Sequence, residues 1–195
     1  MIEHHLVRGD VMTGPSKPPI GLPASLEGAT REQRRVAELI ASGPRGSVPS
    51  PFLAMLDAPP LAEAIQAVGA VLRFSSILPD AEREIAILAT AGAVRCGYEW
   101  NYHAPIARAA GVAEAVVAAT LPDAFGMEDE PAATLIRLCR RVASEGESDP
   151  DLLTAAVERF GRAGATEIVA IAGYYRLLAG FIKAGGFDQP FSPFP

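Results

Sequence analysis

Four residues in one short stretch have the types and spacing for chemistry. The stretch is Glu84-IAILATAGAVR-Cys96-GY-Glu99-WNY-His103. On a helix each residue turns about 100°, so Cys96, Glu99 and His103, spaced i, i+3 and i+7, fall within one narrow arc. Glu99 and His103 are one turn apart and can interact directly. Glu84 precedes them in a very apolar run, and a buried carboxylate must find a partner. A Glu84–His103 hydrogen bond satisfies both groups. It also makes a proton-transfer couple near neutral pH, because burial raises a Glu pKa and a carboxylate neighbour raises that of His. Glu82 and Arg83 are expected on the solvent side.

Cys96 adds a second possibility. If Gly97 breaks the chain between two helices, Cys96 stands at a helix N-terminus, where open N–H groups favour a thiolate or a bound anion. Plainer readings of the same residues stay open. A Glu–His pair one turn apart is also a common surface pair, and a His between Trp100 and Tyr102 also suits a satisfied core group. A metal is disfavoured: no second Glu-x-x-His pair exists to complete a carboxylate-bridged centre, and His4-His5 lies in the N-terminal arm. Trp100 is expected in the core or at a subunit contact, and Cys139 in the core.

The elements that must hold this stretch read as helices throughout. Thr30-Arg-Glu-Gln opens the first, with Val36, Leu39 and Ile40 as its stripe, and Gly43-Pro44 stops it. GPRGSVPSPF is then a loop long enough to line a site. Pro51 to Asp57 suggests a short helix. Pro59-Pro60 opens the next, with Leu61, Ile65, Val68 and Leu72 recurring at helical spacing. Pro79-Asp80 starts a strong helix to about Arg95, and a second runs from Tyr98 to about Ala110, capped by Gly111. Val112–Thr120, Met127–Glu145, Asp149 to Phe160-Gly161 and Thr166–Ala184 complete the set. No alternating Val/Ile/Thr runs bounded by turns occur, so a sheet is not expected. The predicted class is all-α, with an extended arm over 1–28, one helical domain over 29–185 and an irregular tail over 186–195.

Composition narrows the function classes. The chain has 195 residues, 49% of them hydrophobic and 21% charged, which suits a globule with a substantial core rather than a disordered chain. Its net charge of −6, with no Lys/Arg run, argues against nucleic acid as a partner. The start MIEHHLVRGD lacks a signal-peptide pattern. The most apolar stretch, Ile168 to Ile182, is short for a membrane span and is interrupted by Arg176, so a membrane is not expected either. Two cysteines cannot make a disulfide scaffold, and a reducing cytoplasm is the expected setting.

The spacing Glu84-x11-Cys96-x2-Glu99-x3-His103 resembles the active-site signature of the carboxymuconolactone decarboxylase and alkylhydroperoxidase D superfamily. In the peroxidase branch it reads Glu, then Cys-x-x-Cys, then His. Glu84, Cys96 and His103 occupy three of the four places. Arg83-Glu84 inside an apolar helix, Tyr98-Glu99-Trp100 before His103, Ala107 to Gly111-Val112 after it, and the closing Glu167-Ile168 to Tyr174-Tyr175 helix agree. The resemblance spans roughly Val36 to Lys183 and implies an AhpD-like helical bundle.

The departure falls on chemistry. Glu99 stands where the peroxidase branch has its second cysteine, so the motif cannot form a disulfide. Acid–base chemistry remains. The resemblance to the decarboxylase branch implies a lyase or isomerase without metal or organic cofactor, acting on a small carboxylated or lactone-like molecule. In this reading His103 is the general acid or base, Glu99 its proton partner and Glu84 the orienter, with Tyr98 and Tyr102 donating to a substrate carbonyl. The alternatives are a thiol peroxidase using Cys96 and a non-catalytic helical binding or assembly protein. The resemblance also implies a homo-oligomer: a trimer, hexamer or dimer.

Overall fold

A computed structural model describes residues 19–124 and 131–192. Among them are eight helices and no strand: α1 (Arg31–Ser42), α2 (Ser50–Met55), α3 (Pro59–Phe74), α4 (Asp80–Ala93), α5 (Gly97–Ala109), α6 (Glu114–Ala119), α7 (Pro131–Glu145) and α8 (Pro150–Ala184).

The centre is α4. Every residue from Glu84 to Gly92 is buried, because α5, α7 and α8 pack around it. That is why this stretch shows no amphipathic stripe: a helix covered on all sides is apolar all round. Ala86, Ala89, Ala91 and Gly92 keep the helix thin. At Gly92 a Cβ would strike the carbonyl oxygen of Thr120, so the α6 end reaches α4 only because that position lacks a side chain. Burial of Ile87 and Leu88 alone contributes about 1.5–3 kcal/mol each.

Local signals set the boundaries. Thr30 caps α1 in a reciprocal box with Gln33. Val94–Cys96 breaks the chain between α4 and α5, one residue earlier than Gly97, and Arg95 takes a φ of 52° at that corner. The predicted separation at Phe160-Gly161 survives as a kink: Gly161 has φ 70° and ψ 170° inside α8, a conformation that only glycine adopts without strain. The second half then resumes at once, several residues before Thr166. α6 is shorter than expected at its start, and the expected helix start at Met127 lies outside the described residues.

By length and composition α8 could cross a bilayer, but half of its most apolar window is buried inside this fold. α7, α4, α2 and α3 cover that face, and Arg176 donates to the carbonyl of Ala143 at 2.7 Å. Part of the sequence read as an arm docks on its own chain: the amide of Gly21 donates to Asp57 at 2.6 Å and that of Leu22 to Leu53 at 3.1 Å. Residues 1–18 of that arm lie outside the described ones. One face of α3 leaves Leu61, Val68 and Val71 exposed.

Candidate active site

α4 and α5 lie side by side and bring Glu84 and His103 together. The His103 Nδ1 lies 2.7 Å from Glu84 Oε2, with both side chains buried. A carboxylate oxygen accepts, so Nδ1 carries the hydrogen and the lone pair sits on Nε2. Glu84 Oε1 is in turn 3.5 Å from the Nε of Arg83. Arg83 is therefore not the solvent-side residue its position suggested: its side chain is 13% exposed and folds back over Glu84. Tyr102 and Tyr175 flank the imidazole edge-on, each with ring centroids 5.2 Å away.

Glu99 approaches the other edge of the ring. Its Oε2 is 3.7 Å from His103 Nε2. That is longer than a hydrogen bond, and proton-transfer pairs without substrate are commonly this loose. Its Oε1 is buried and meets no donor. Burial raises the Glu99 carboxyl to about 7; Arg73 and Arg45 oppose the rise and Asp188 adds to it. Burial also holds the His103 imidazolium below its ordinary range, although Glu84 works the other way. Glu99 and His103 thus form a buried couple holding one labile proton near neutrality. The two carboxylates sit on opposite edges of one ring, and among the described residues no group of three acidic, His or Cys side chains converges as metal ligands would.

Both groups face a pocket whose wall includes Arg45, Phe52, Arg73, Tyr98, Tyr174 and Tyr175. The open space is narrow, about 20 Å³, enough for a water or so. Tyr98 is in the wall, and its hydroxyl oxygen accepts from the Ser50 amide at 3.4 Å. Tyr102 stands at the mouth, 45% exposed, with the Arg73 guanidinium 5.4 Å from its ring centre. Trp100 is buried; its Nε1 donates to Thr120 Oγ1 at 2.9 Å, and Phe191 tilts against it.

Cys96 is tied to the chain's tail. It does occupy the N-cap of α5, but the anion at that helix end is Asp188 of the chain's own tail. Asp188 Oδ1 accepts from the amides of Tyr98 at 3.1 Å and Gln189 at 2.9 Å and from the Cys96 thiol at 3.6 Å. Gly97 permits this, since a Cβ there would strike the carbonyl of Gln189. Buried under the tail, the thiol is pushed up to about 12, with Asp188 and Glu99 adding to the effect of desolvation. Of the two possibilities at this helix end, a thiolate or a bound anion, burial and two carboxylates favour the anion, with the thiol kept protonated. Iodoacetamide at pH 8 should therefore alkylate Cys96 in the folded protein at least about 100-fold more slowly than free cysteine, and at the ordinary rate in denaturant. Equal rates in the folded protein would sink this account.

Several pocket residues escaped the sequence reading. Arg45 lies in the 43–52 loop, whose length suits lining a site, but no local pattern distinguishes it there. Tyr174 and Tyr175 were noted only as part of a closing helix. Asp188 had no signal, because a capping role across 90 residues leaves no local pattern.

The all-helical bundle, in which two central helices present a Glu and a His to one aromatic pocket, has an AhpD-like fold. The fold resembles a crystal structure described as the alkylhydroperoxidase AhpD core of an uncharacterized peroxidase-related protein from Ralstonia eutropha JMP134, with a TM-score of 0.69 and 21% identity over 90% of this chain and 93% of that one. Residues 59–137 match the carboxymuconolactone decarboxylase family. No curated protein matches the chain. The structural likeness shows an AhpD-like fold, and the family match covers the segment that carries the Glu84–His103 pair. The matched segment holds Glu84, Cys96, Glu99 and His103; Arg45, Tyr174, Tyr175 and Asp188 lie outside it.

Proposed function

We propose that this chain is a cofactor-independent lyase or isomerase that moves a proton on a small carboxylated or lactone-like molecule. The observation that carries the reading is Glu99: a buried carboxyl that titrates near neutrality, with one oxygen toward His103 and the other unpartnered in the pocket. Such a group can hold a proton or release one at pH 7, which is the requirement for general acid–base work.

The roles follow from the geometry. Glu99 Oε1 meets the substrate. In an isomerisation it takes a proton from a carbon beside a carbonyl, and the electron pair moves into the carbonyl. The same proton then returns at another carbon. In a decarboxylation the C–CO2 bond breaks, its electrons pass into the adjoining π-system, and protonated Glu99 delivers its hydrogen to the carbon left behind. His103 Nε2 takes or returns that proton through Oε2. Glu84 fixes the tautomer that leaves Nε2 as the acceptor. Apolar and aromatic walls keep Glu99 desolvated, which sustains its raised pKa.

The buried thiol of Cys96 and the carboxylate at position 99 favour proton over electron chemistry. The test is a panel of small carboxylated lactones and β-keto acids incubated with the protein in D2O. Deuterium incorporation and CO2 release are followed by NMR. The expected result is exchange or decarboxylation of at least one compound without added metal or thiol. The reading fails if the only turnover found is peroxide reduction that requires a thiol donor and Cys96.

A further inference from the structure

Arg45 is a cation with no hydrogen-bonded anion. It rises from the loop between α1 and α2 into the pocket wall, and its Nε and Nη2 are both buried with no hydrogen-bond acceptor. These nitrogens share one edge of the guanidinium, the edge that grips a carboxylate side-on through two parallel N–H bonds. The plane is held by rings: Cζ lies 4.8 Å from the centre of Phe52 and 5.6 Å from that of Phe74. Such packing fixes the fork in place before any ligand arrives.

The surroundings are built around that edge. The Tyr174 hydroxyl, also buried, stands beside the guanidinium and interacts with it, but neither group closes a hydrogen bond of good geometry. Both fit because position 69 of α3 is glycine: a Cβ there would strike the Tyr174 hydroxyl and come within 2.7 Å of Arg45 Nη2. A glycine inside a helix costs about 0.5–1 kcal/mol, and here it opens room for two buried polar groups whose hydrogen-bonding capacity the chain leaves unfilled. A buried fork, a buried hydroxyl and the free Glu99 Oε1 face one pocket. Unmet buried polar atoms are expensive, and a cluster of them marks where a ligand or water completes the site.

Resting on the proposed acid–base reading, we infer that Arg45 is the anchor for a ligand carboxylate, gripped by Nε and Nη2 and hydrogen-bonded by the Tyr174 hydroxyl, which sets the reacting carbon against Glu99. Arg73, in the same wall, adds positive charge without taking the fork's place. The substrate so selected carries one carboxylate that is held through the reaction, distinct from the bond that Glu99 serves.

The experiment is an NMR titration of the full chain with acetate, with acetamide as the neutral match and inorganic phosphate as the competing anion. The signals followed are the Arg45 Nε–H and the Gly69 amide. Acetate is expected to move both saturably and to bind at least 10-fold more tightly than acetamide or phosphate. Arg45→Met should weaken acetate at least 10-fold at the Gly69 signal. Arg45→Lys keeps the charge but loses the fork, and should weaken it severalfold. Gly69→Ala, which fills the seat, should abolish the response. Tighter phosphate than acetate, equal acetamide, or acetate binding unchanged in both Arg45 variants overturns the anchor. Turnover on the panel separates the two ideas. Acetate bound at Arg45 without any proton transfer keeps the anchor and removes the acid–base reading. Activity that survives Arg45→Met with KM unchanged does the reverse.

Discussion

Glu99→Gln should lower kcat on any accepted substrate by about 10²–10⁴-fold, the range typical of losing a positioned general acid–base. Gln has the same shape and cannot carry the proton, so KM should change far less than kcat. Wild-type activity should show an inflection close to pH 7, where the Glu99 carboxyl titrates. That limb should vanish in the variant. Glu84→Gln is the informative control, because Glu84 acts through His103. Its bond raises the imidazole pKa against the effect of burial, so the variant should move any His103 limb to lower pH and cost only about 10–100-fold, as losing an orienting partner does. Steady-state kinetics from pH 5 to 9 on the three proteins check this. A Glu99→Gln protein that keeps kcat and its pH profile removes Glu99 from the reaction.

The parts of this site that were legible from sequence are those that share one helix or one tight helical pair. Glu99 and His103 announce themselves by a one-turn spacing, and Glu84 by being a carboxylate in a run too apolar to leave it unpaired. The element boundaries at Gly43, Pro79 and Gly161 were legible because glycine and proline act on the backbone locally. Arg45, Gly69, Tyr174 and Asp188 were not. Their roles arise where the α1–α2 loop, α3, α8 and the tail meet, and no periodicity encodes which loop arginine will face which helix. At Cys96 only the helix N-terminus was legible, for the same reason. A helix N-terminus is visible in sequence, but the tail carboxylate that occupies it comes from position 188. Long-range burial then reversed a pKa that local reasoning placed low.

The shared proton should also appear in stability, as slopes that cancel. Burial lowers the folded His103 pKa, so between that lowered value and 6.5 the unfolded chain holds a proton that the fold does not, and stability rises with pH up to 6.5. Glu99 does the opposite. The fold keeps it protonated to about 7 against 4.5 unfolded, so its contribution is full below pH 4.5 and is lost as pH climbs through 7. Where the two windows overlap below 6.5, the pair holds one proton in either state, on Glu99 when folded and on His103 when unfolded. The two slopes offset, and this pair adds no pH dependence to the wild type in that window. Single variants expose each half. In His103→Asn, where the Asn amide still donates to Glu84, stability should fall relative to wild type from pH 4.5 to 6.5, toward a Glu99 total on the order of 3 kcal/mol by pH 7. In Glu99→Gln it should rise relative to wild type as pH goes from 4.5 to 6.5, by up to about 1.4 kcal/mol per pH unit. Groups far from the pocket contribute equally to all three proteins and drop out of the differences. Urea midpoints at pH 5, 6, 7 and 8 give the curves. Diverging slopes of opposite sign would show that burial raises Glu99 and lowers His103 as the proposed chemistry needs; three parallel curves would mean that the couple on which it rests does not exist.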